Sequence, residues 1–446
     1  MSQKQKIHIL GGGPAGLSVG YYGKKKGKSI SIHESSKYIG GNCRTIQIGD
    51  YRFDTGAHRF HDKISDVTNE IKQLMGDHLV EVHAPSKIYF NGKMIDFPLN
   101  FQSVIKSLEL SKILKILFEN AFNVFKYQGN YENFEKLAYA KYGKTLSGLF
   151  LINYTEKLWG TEAKRLQTTI SGDRLKHLSI YTVIFEMILK NFKSKHLEGA
   201  FYYPKFGYGT IFDKMANYIG FENIKLDSKV VRIIHDGNKI KEIEYENSNS
   251  SQVEYVVNTL PITSIIKMME PLPPDSLIQK AKSFKFRNLK LCILTLDIPS
   301  VSKNASIYIP EKSNPITRIY EPKNRSHHMA PEDKTSLVIE IPFTLGDNID
   351  CMNDDEIIDM VKSTLTKKKL FKGSDVIDSK LFNIKNAYPI LEIGQEKELR
   401  MLIDYLQSFK NHQLIGRNVE FKYLHTHHII WKARMLIENL ESRLNL

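Results

Sequence analysis

The 446-residue chain has few cysteines and few tryptophans, three and two respectively. Cys43, Cys292 and Cys351 are odd in number, far apart and without C-x-x-C spacing, so the sequence suggests neither a disulfide framework nor a zinc site. A reducing, cytoplasmic compartment fits that usage. No apolar run reaches the roughly 20 residues needed to span a bilayer, and no secretory signal precedes the first strand, so a soluble protein is expected. Acidic residues are also in deficit: 49 against 63 basic ones leave a net charge of +14. Such an excess draws anionic ligands into a cleft, holds a protein near anionic lipid, or merely solvates a lysine-rich surface. The basic runs Lys24-Lys25-Lys26 and Lys367-Lys368-Lys369 are short and lack interleaved aromatics, so nucleic acid is not an expected partner. Internal repeats and low-complexity tracts are missing as well.

What the chain does have begins at its N-terminus. Residues 6–10 form an apolar strand running into Gly11-x-Gly13-x-x-Gly16, and Glu34 ends a second short strand, Ser-Ile-Ser-Ile-His-Glu. The order strand, glycine turn, helix, strand and acid is that of a dinucleotide-binding βαβ unit. Gly11 permits the tight turn, Gly13 lets the backbone approach a pyrophosphate, and Gly16 allows close helix–strand contact. The helix start supplies free N–H groups, and Glu34 is placed to accept hydrogen bonds from a ribose diol. Next come Gly40-Gly41-Asn42-Cys43-Arg44 and Tyr51-Arg52-Phe53-Asp54-Thr55-Gly56-Ala57-His58-Arg59-Phe60-His61. A second glycine pair and an arginine are the extra backbone and side-chain donors that a long, two-nucleotide cofactor needs. This order resembles the FAD domain shared by amine oxidases, protoporphyrinogen oxidases and UDP-galactopyranose mutases.

An α/β architecture follows, with a Rossmann-type FAD-binding domain interrupted by a helical insert and an antiparallel sheet insert. The FAD-binding part is expected at 1–80, 201–280 and 386–446, the mainly helical substrate domain at 81–200 and the sheet domain at 281–385. Val104, Ile105, Leu108, Leu110, Ile113, Leu114, Ile116 and Leu117 recur at helical spacing, and a second apolar stretch runs from Leu178 to Phe192. These stripes are read as core, with a membrane-surface role as the alternative because Lys and Arg flank them. Strands are expected at Lys229–Ile234, Ile240–Tyr245 and Val253–Leu260, the first two joined by an Asp236-Gly237-Asn238 turn. Further strands are expected near Leu289–Ile298, Ala305–Ile309, Ile316–Tyr320 and Ser336–Pro342, and a final helix over Ile429–Leu444.

Within the inserts, Phe150-Leu-Ile-Asn-Tyr154-Thr155-Glu156-Lys157-Leu158-Trp159-Gly160 resembles the Tyr-Thr-x-Lys-x-Trp-Gly signature of UDP-galactopyranose mutases. Gly56-Ala57-His58-x-Phe60-His61, Thr317-Arg318-Ile319-x-Glu321, Tyr388-Pro389 and Gly416-Arg417-x-x-Glu420-x-Lys422-Tyr423 are similar to that family's patterns in the same order. Phe150 and Tyr154 are four apart, so one helix face would present both to a flat ring. The resemblance implies that this pair grips uracil and that Trp159 lies in the substrate pocket. A diphosphate needs fixed positive charge, and an arginine fork suits it. By resemblance Arg318 is the essential arginine and Arg174, matched only with a one-residue shift, a second clamp. Tyr388 and Tyr423 match tyrosines that contact the diphosphate. Gly41, Asn42, Gly416, Arg417, His58 and His61 fall beside the FAD.

The resemblance implies a flavin-dependent mutase that interconverts pyranose and furanose forms of a UDP-sugar, galactose being the family's sugar. Reduced FAD is then the active form, its N5 attacking the anomeric carbon as UDP leaves, and an electron donor such as NAD(P)H is a partner. The alternative is an FAD oxidoreductase of the amine-oxidase or protoporphyrinogen-oxidase type. One departure bears on the sugar: where mutases have an aspartate two residues after Tyr423, this chain has His425, within His425-Thr426-His427-His428. That run lacks trusted metal-ligand spacing, and no metal is expected. The oligomeric state is left open.

Overall fold

The structure is a computed structural model and describes residues 6–99, 101–126, 131–171 and 200–444. Its centre is a five-stranded parallel sheet in the spatial order His412–Leu414, Tyr255–Asn258, Lys6–Leu10, Ser29–His33 and Ile224–Lys225. Parallel strands need crossovers and are covered on both faces, which is why these segments read as short apolar runs. The helices Pro14–Lys25, Thr210–Ile219 and Thr426–Leu444 pack together beside this sheet, burying Leu17, Val19, Phe212, Met215, Ile430 and Ile437 in one core. Three well-separated stretches of the chain therefore build one unit around this sheet, with a single core. A smaller four-stranded sheet, which includes the antiparallel pair Val230–His235 and Ile240–Tyr245, extends it.

A seven-stranded sheet forms the second unit, in the order Val376–Pro389, Phe286–Leu296, Thr335–Phe343, Arg318–Tyr320, Ser306–Tyr308, Ser86–Phe90 and Lys93–Phe97. All its pairings are antiparallel except that between Ser306–Tyr308 and Ser86–Phe90. Along Phe286–Leu296 the period of two divides the side chains between two cores. Cys292 and Leu294 pack with Ile357, Val361 and Leu365 of the helix Asp354–Lys367, whereas Leu289, Leu291 and Ile293 pack with Phe53 on the cofactor side. The sheet is thus a wall shared by an outer helix and the cofactor unit.

Several details differ from the sequence reading. Ser86–Phe90 and Lys93–Phe97 are strands of the large sheet rather than part of a helical insert. The 14-residue strand Val376–Pro389 crosses the boundary expected at 385/386, and Tyr388 pairs in register with Arg287. This edge strand keeps most of its side chains partly or fully exposed, so its sequence lacks the apolar alternation that would reveal it. The stripe on the helix Leu110–Lys126 is only half core: Ile116 is 2% exposed, but Leu110 is 70% and Leu114 58% exposed. Arg174 and the stretch from Leu178 to Phe192 lie outside the described residues. No helix among the described residues is long and apolar enough to cross a membrane.

Candidate cofactor and substrate site

The cradle for the cofactor starts where Lys6–Leu10 gives way to the helix Pro14–Lys25. Gly13 is the N-cap and provides no side-chain cap, and Pro14 opens the helix, so the first-turn N–H groups are left for an anion. Gly11 has φ +104°, and a Cβ on Gly16 would lie 1.9 Å from the Gly11 carbonyl oxygen, so both glycines are obligatory. Above Gly13 the backbone is open, the nearest atom to an added Cβ being the Gly41 Cα at 3.8 Å. Gly41 and Gly416 come in from distant parts of the chain: a Cβ on Gly41 would sit 3.1 Å from the Gly13 Cα, and one on Gly416 3.2 Å from the Ala15 Cβ. Glu34 accepts from the Gly12 N–H at 2.7 Å and from the Ser36 N–H at 2.9 Å, which holds its carboxylate at the glycine turn. Arg44 Nε is buried and has no partner among the described residues. An uncapped helix start, a side-chain-free approach and an orphaned guanidinium nitrogen fit the diphosphate and ribose of FAD.

Beyond the cradle lies a cleft of about 320 Å³ lined by Asn42, Cys43, Ala57, His58, His61, Arg318, Tyr388, Arg417, Tyr423 and His425, among others. Asn42 Nδ2 donates to the Lys385 and Asn386 carbonyls at 3.2 and 3.4 Å, tying the glycine loop to the end of the edge strand. His58 Nε2 lies 2.9 Å from the Asn42 carbonyl oxygen, which fixes the proton on Nε2, and Nδ1 faces Cys43 Sγ at 3.9 Å. Burial, reinforced by the charge of Arg417, pulls the His58 pKa down to about 3. The imidazole is neutral. Burial likewise pushes the Cys43 thiol up to about 12.

Arg318 is the best-anchored cation in this cleft. Its Nε and Nη2 donate to the two carboxylate oxygens of Glu340 at 2.9 and 2.7 Å, and Glu340 Oε1 also accepts from the Ala57 N–H at 3.1 Å. Burial opposes the guanidinium charge, but Glu340 outweighs it and holds the pKa well above the ordinary arginine value. With that edge committed, Nη1 has no partner among the described residues, and the group faces the cleft. Trp159, Tyr388 and Tyr423 form a triangle of rings with centroids 5.8 to 6.0 Å apart. Arg417 lies over Tyr423 at 5.2 Å and donates through Nη2 and Nε to the Leu424 carbonyl at 2.7 and 3.1 Å. It therefore fixes the turn carrying Tyr423 as well as lining the cleft. His425 continues the row of rings, 5.4 Å edge-on to Tyr423 and stacked 5.6 Å from His427. Among the described residues no group of three or more His, Cys, Asp or Glu converges as a metal site.

A second, mainly apolar cavity of about 120 Å³ adjoins the cleft. Phe150, Tyr154 and Trp159 line it, and Phe97, Pro98, Tyr308 and Tyr423 are walls of both spaces. Phe150 stands in a π-helical turn, Gly148–Ile152, leading into the helix Asn153–Trp159. Such wide turns recur at functional sites because they re-aim side chains that a regular helix would place elsewhere. Phe150 packs edge-on against Phe90 at 5.0 Å and Tyr154 against Tyr308 at 5.7 Å.

Sequence reasoning gave no separate role to Lys157. Its side-chain nitrogen, with at most three N–H donors to share, lies within hydrogen-bond distance of four carbonyls of one loop: Ile309 at 2.7 Å, Glu311 at 2.9 Å, Asn314 at 2.8 Å and Ile316 at 2.7 Å. That loop joins the strand bearing Tyr308 to the strand bearing Arg318, so Lys157 locks the aromatic helix to the arginine. The sequence signal for it was its place as the lysine of the Tyr-Thr-x-Lys-x-Trp-Gly pattern.

A model of the flavin containing amine oxidoreductase family matches residues 14–386. The chain belongs to that family. Its cofactor is FAD, in keeping with the cradle. Among curated relatives, it is 23% identical over 302 residues to a probable flavin-containing monoamine oxidase A of Dictyostelium discoideum, the match covering 63% of each chain. It is 24% identical over 230 residues to a probable UDP-galactopyranose mutase of Klebsiella pneumoniae, covering 50% of this chain and 55% of that one. The matched segments thus span less than two thirds of either relative. Among solved structures, a reduced UDP-galactopyranose mutase is similar with a TM-score of 0.86 over 98% of this chain and 96% of that chain, at 18% identity. The likeness establishes a shared fold, including the parallel sheet and the added antiparallel one.

Proposed function

We propose that the protein is a flavin-dependent mutase interconverting the pyranose and furanose forms of a UDP-sugar. The observation that carries this reading is a pair of adjoining spaces: an aromatic cavity around Phe150, Tyr154 and Trp159 shares walls with a cleft whose described lining holds Arg318, Arg417 and histidines but no carboxylate. A flat base with a diphosphate attached has that same order of apolar ring and negative charge. In this reading Phe150 and Tyr154 hold the uracil, and Arg318 Nη1, with the hydroxyls of Tyr388 and Tyr423, holds the diphosphate. Glu340 keeps Arg318 charged and oriented, so the leaving diphosphate meets fixed donors rather than water that must reorganise. Reduced FAD, when bound, supplies the nucleophile for the anomeric carbon. Neutral His58, held by the Asn42 carbonyl, adds no charge of its own to the cleft. Arg174 is proposed as a further diphosphate clamp on the resemblance alone.

The second reading, an amine oxidase, is favoured by the family match itself. Against it stands the charge of the cleft, because an amine substrate is an ammonium ion at neutral pH and Arg318 and Arg417 repel it. The experiment is to reduce the bound flavin, add UDP-galactofuranose, and follow UDP-galactopyranose by chromatography with the oxidised protein as control. Conversion by the reduced sample alone is expected. Oxygen consumption with amines and no response to any UDP-sugar would overturn the mutase reading.

A further inference from the structure

The cleft holds more positive and hydrogen-donating groups than a diphosphate needs. Arg318, its charge already matched by Glu340, and Arg417 stand beside Tyr388 and Tyr423, where a diphosphate would engage them. Lys63, His425 and His428, none of them among the residues placed beside the FAD, line the same cleft as well. Among the described residues no aspartate or glutamate shares that lining. Glu340 lies behind Arg318 and is consumed by it, and the side chain of Asp62, next to Lys63 in sequence, accepts from Thr68 Oγ1 at 2.8 Å. The ring row Trp159, Tyr423, His425 runs from the aromatic cavity toward the histidines, so this surplus lies beyond the diphosphate tyrosines as seen from the base.

A neutral hexose presents hydroxyl groups, which a carboxylate side chain binds by accepting hydrogen bonds from them. Where the resemblance puts an aspartate, two residues after Tyr423, this chain has His425. An imidazole there can donate a hydrogen bond instead, and Lys63, exposed and in the same lining, adds a positive charge. Resting on the mutase reading, we propose that the sugar of the substrate itself carries a carboxylate, making it a UDP-hexuronic acid, with His425 and Lys63 receiving the C6 carboxylate. The reaction stays balanced: the C1–O5 bond is exchanged for C1–O4, the proton passes from the C4 hydroxyl to the C5 oxygen, and C6 is untouched. No oxidant or reductant is consumed.

The test is calorimetric titration of the reduced, FAD-loaded protein under anaerobic conditions with UDP, UDP-galactose, UDP-galacturonic acid and UDP-glucuronic acid. One of the two uronic acids is expected to bind at least about tenfold more tightly than UDP-galactose, as one well-placed charged contact implies. His425→Asp and Lys63→Glu are each expected to shrink or invert that ratio. Binding of UDP with both uronic acids no tighter than UDP-galactose overturns the uronic-acid inference and leaves the mutase reading standing. Failure of UDP itself to bind overturns both. The wild-type ratio decides the matter even if a variant does not fold.

Discussion

Arg318 and Glu340 face each other in register on adjacent antiparallel strands, and their side chains meet in a two-bond fork of 2.9 and 2.7 Å. Glu340 is 1% exposed, so its carboxylate has no water to fall back on. Breaking such a buried pair leaves an uncompensated charge and costs about 3–5 kcal/mol. Glu340→Gln is therefore expected to lower the thermal midpoint, and Arg318→Lys to retain FAD while losing roughly 100-fold or more in kcat/KM on the UDP-sugar, since a lysine cannot pair bidentately. Full activity of Arg318→Lys would remove this residue from the site.

The aromatic cavity is expected to act on binding more than on turnover. Phe150→Ala and Tyr154→Ala should each raise KM, by about 1–2 kcal/mol or roughly 5- to 30-fold, with kcat changed less. Tyr154→Phe keeps the ring and should stay near the wild type. Steady-state kinetics on the three variants checks this, and an unchanged KM in both alanine variants would count against uracil in this cavity.

Lys157 joins the helix to the loop 309–316 through backbone carbonyls alone, so no other side chain replaces it. Lys157→Met preserves the stem and deletes the donors, stranding four acceptors that are not all within reach of water. We expect a fall in stability of about 2–4 kcal/mol and a fall in kcat from displaced Arg318, with FAD content unaltered. Denaturant melts together with the flavin-to-protein absorbance ratio separate these effects.

His8 and His33 stack 5.7 Å apart in the parallel sheet, and burial lowers their pKa values to about 4 and about 3. In the unfolded chain each titrates near the ordinary value of about 6.5. Below that pH the unfolded state takes up protons that the folded state refuses, so stability is full above it and declines as pH falls toward 4. The slope is about 1.4 kcal/mol per pH unit for each histidine. Urea midpoints at pH 7 and pH 5 should show the loss, and His33→Asn should flatten the dependence by about one proton. An identical slope in that variant would show that His33 contributes nothing to it.

Gly41 closes against Gly13 with φ +51°. Gly41→Val places a branched side chain in left-handed backbone and pushes the cradle open. The variant is expected to purify with little flavin, and a normal flavin ratio would mean that this contact does not shape the cofactor site.

The sequence by itself determined the start of the cofactor unit. Gly11, Gly13, Gly16 and Glu34 act through the turn, helix and strand that contain them, so contiguous spacing carries the whole signal. The same holds for the apolar strands of the two sheets, where burial writes a period into the chain. The candidate ligands Arg318, Tyr388, Tyr423 and Trp159 were legible as residues, but only through the order of motifs along the chain. Tertiary structure alone decided that Gly41 and Gly416 close on one helix start and that Glu340 stands opposite Arg318. It alone also decided that Lys157 ties a helix to a loop some 150 residues away and that the aromatic cavity shares walls with the charged cleft. Such juxtapositions depend on register and on packing between segments that are not neighbours in sequence. They arise from many weak contacts summed over the folded chain, and no single stretch of residues carries the information.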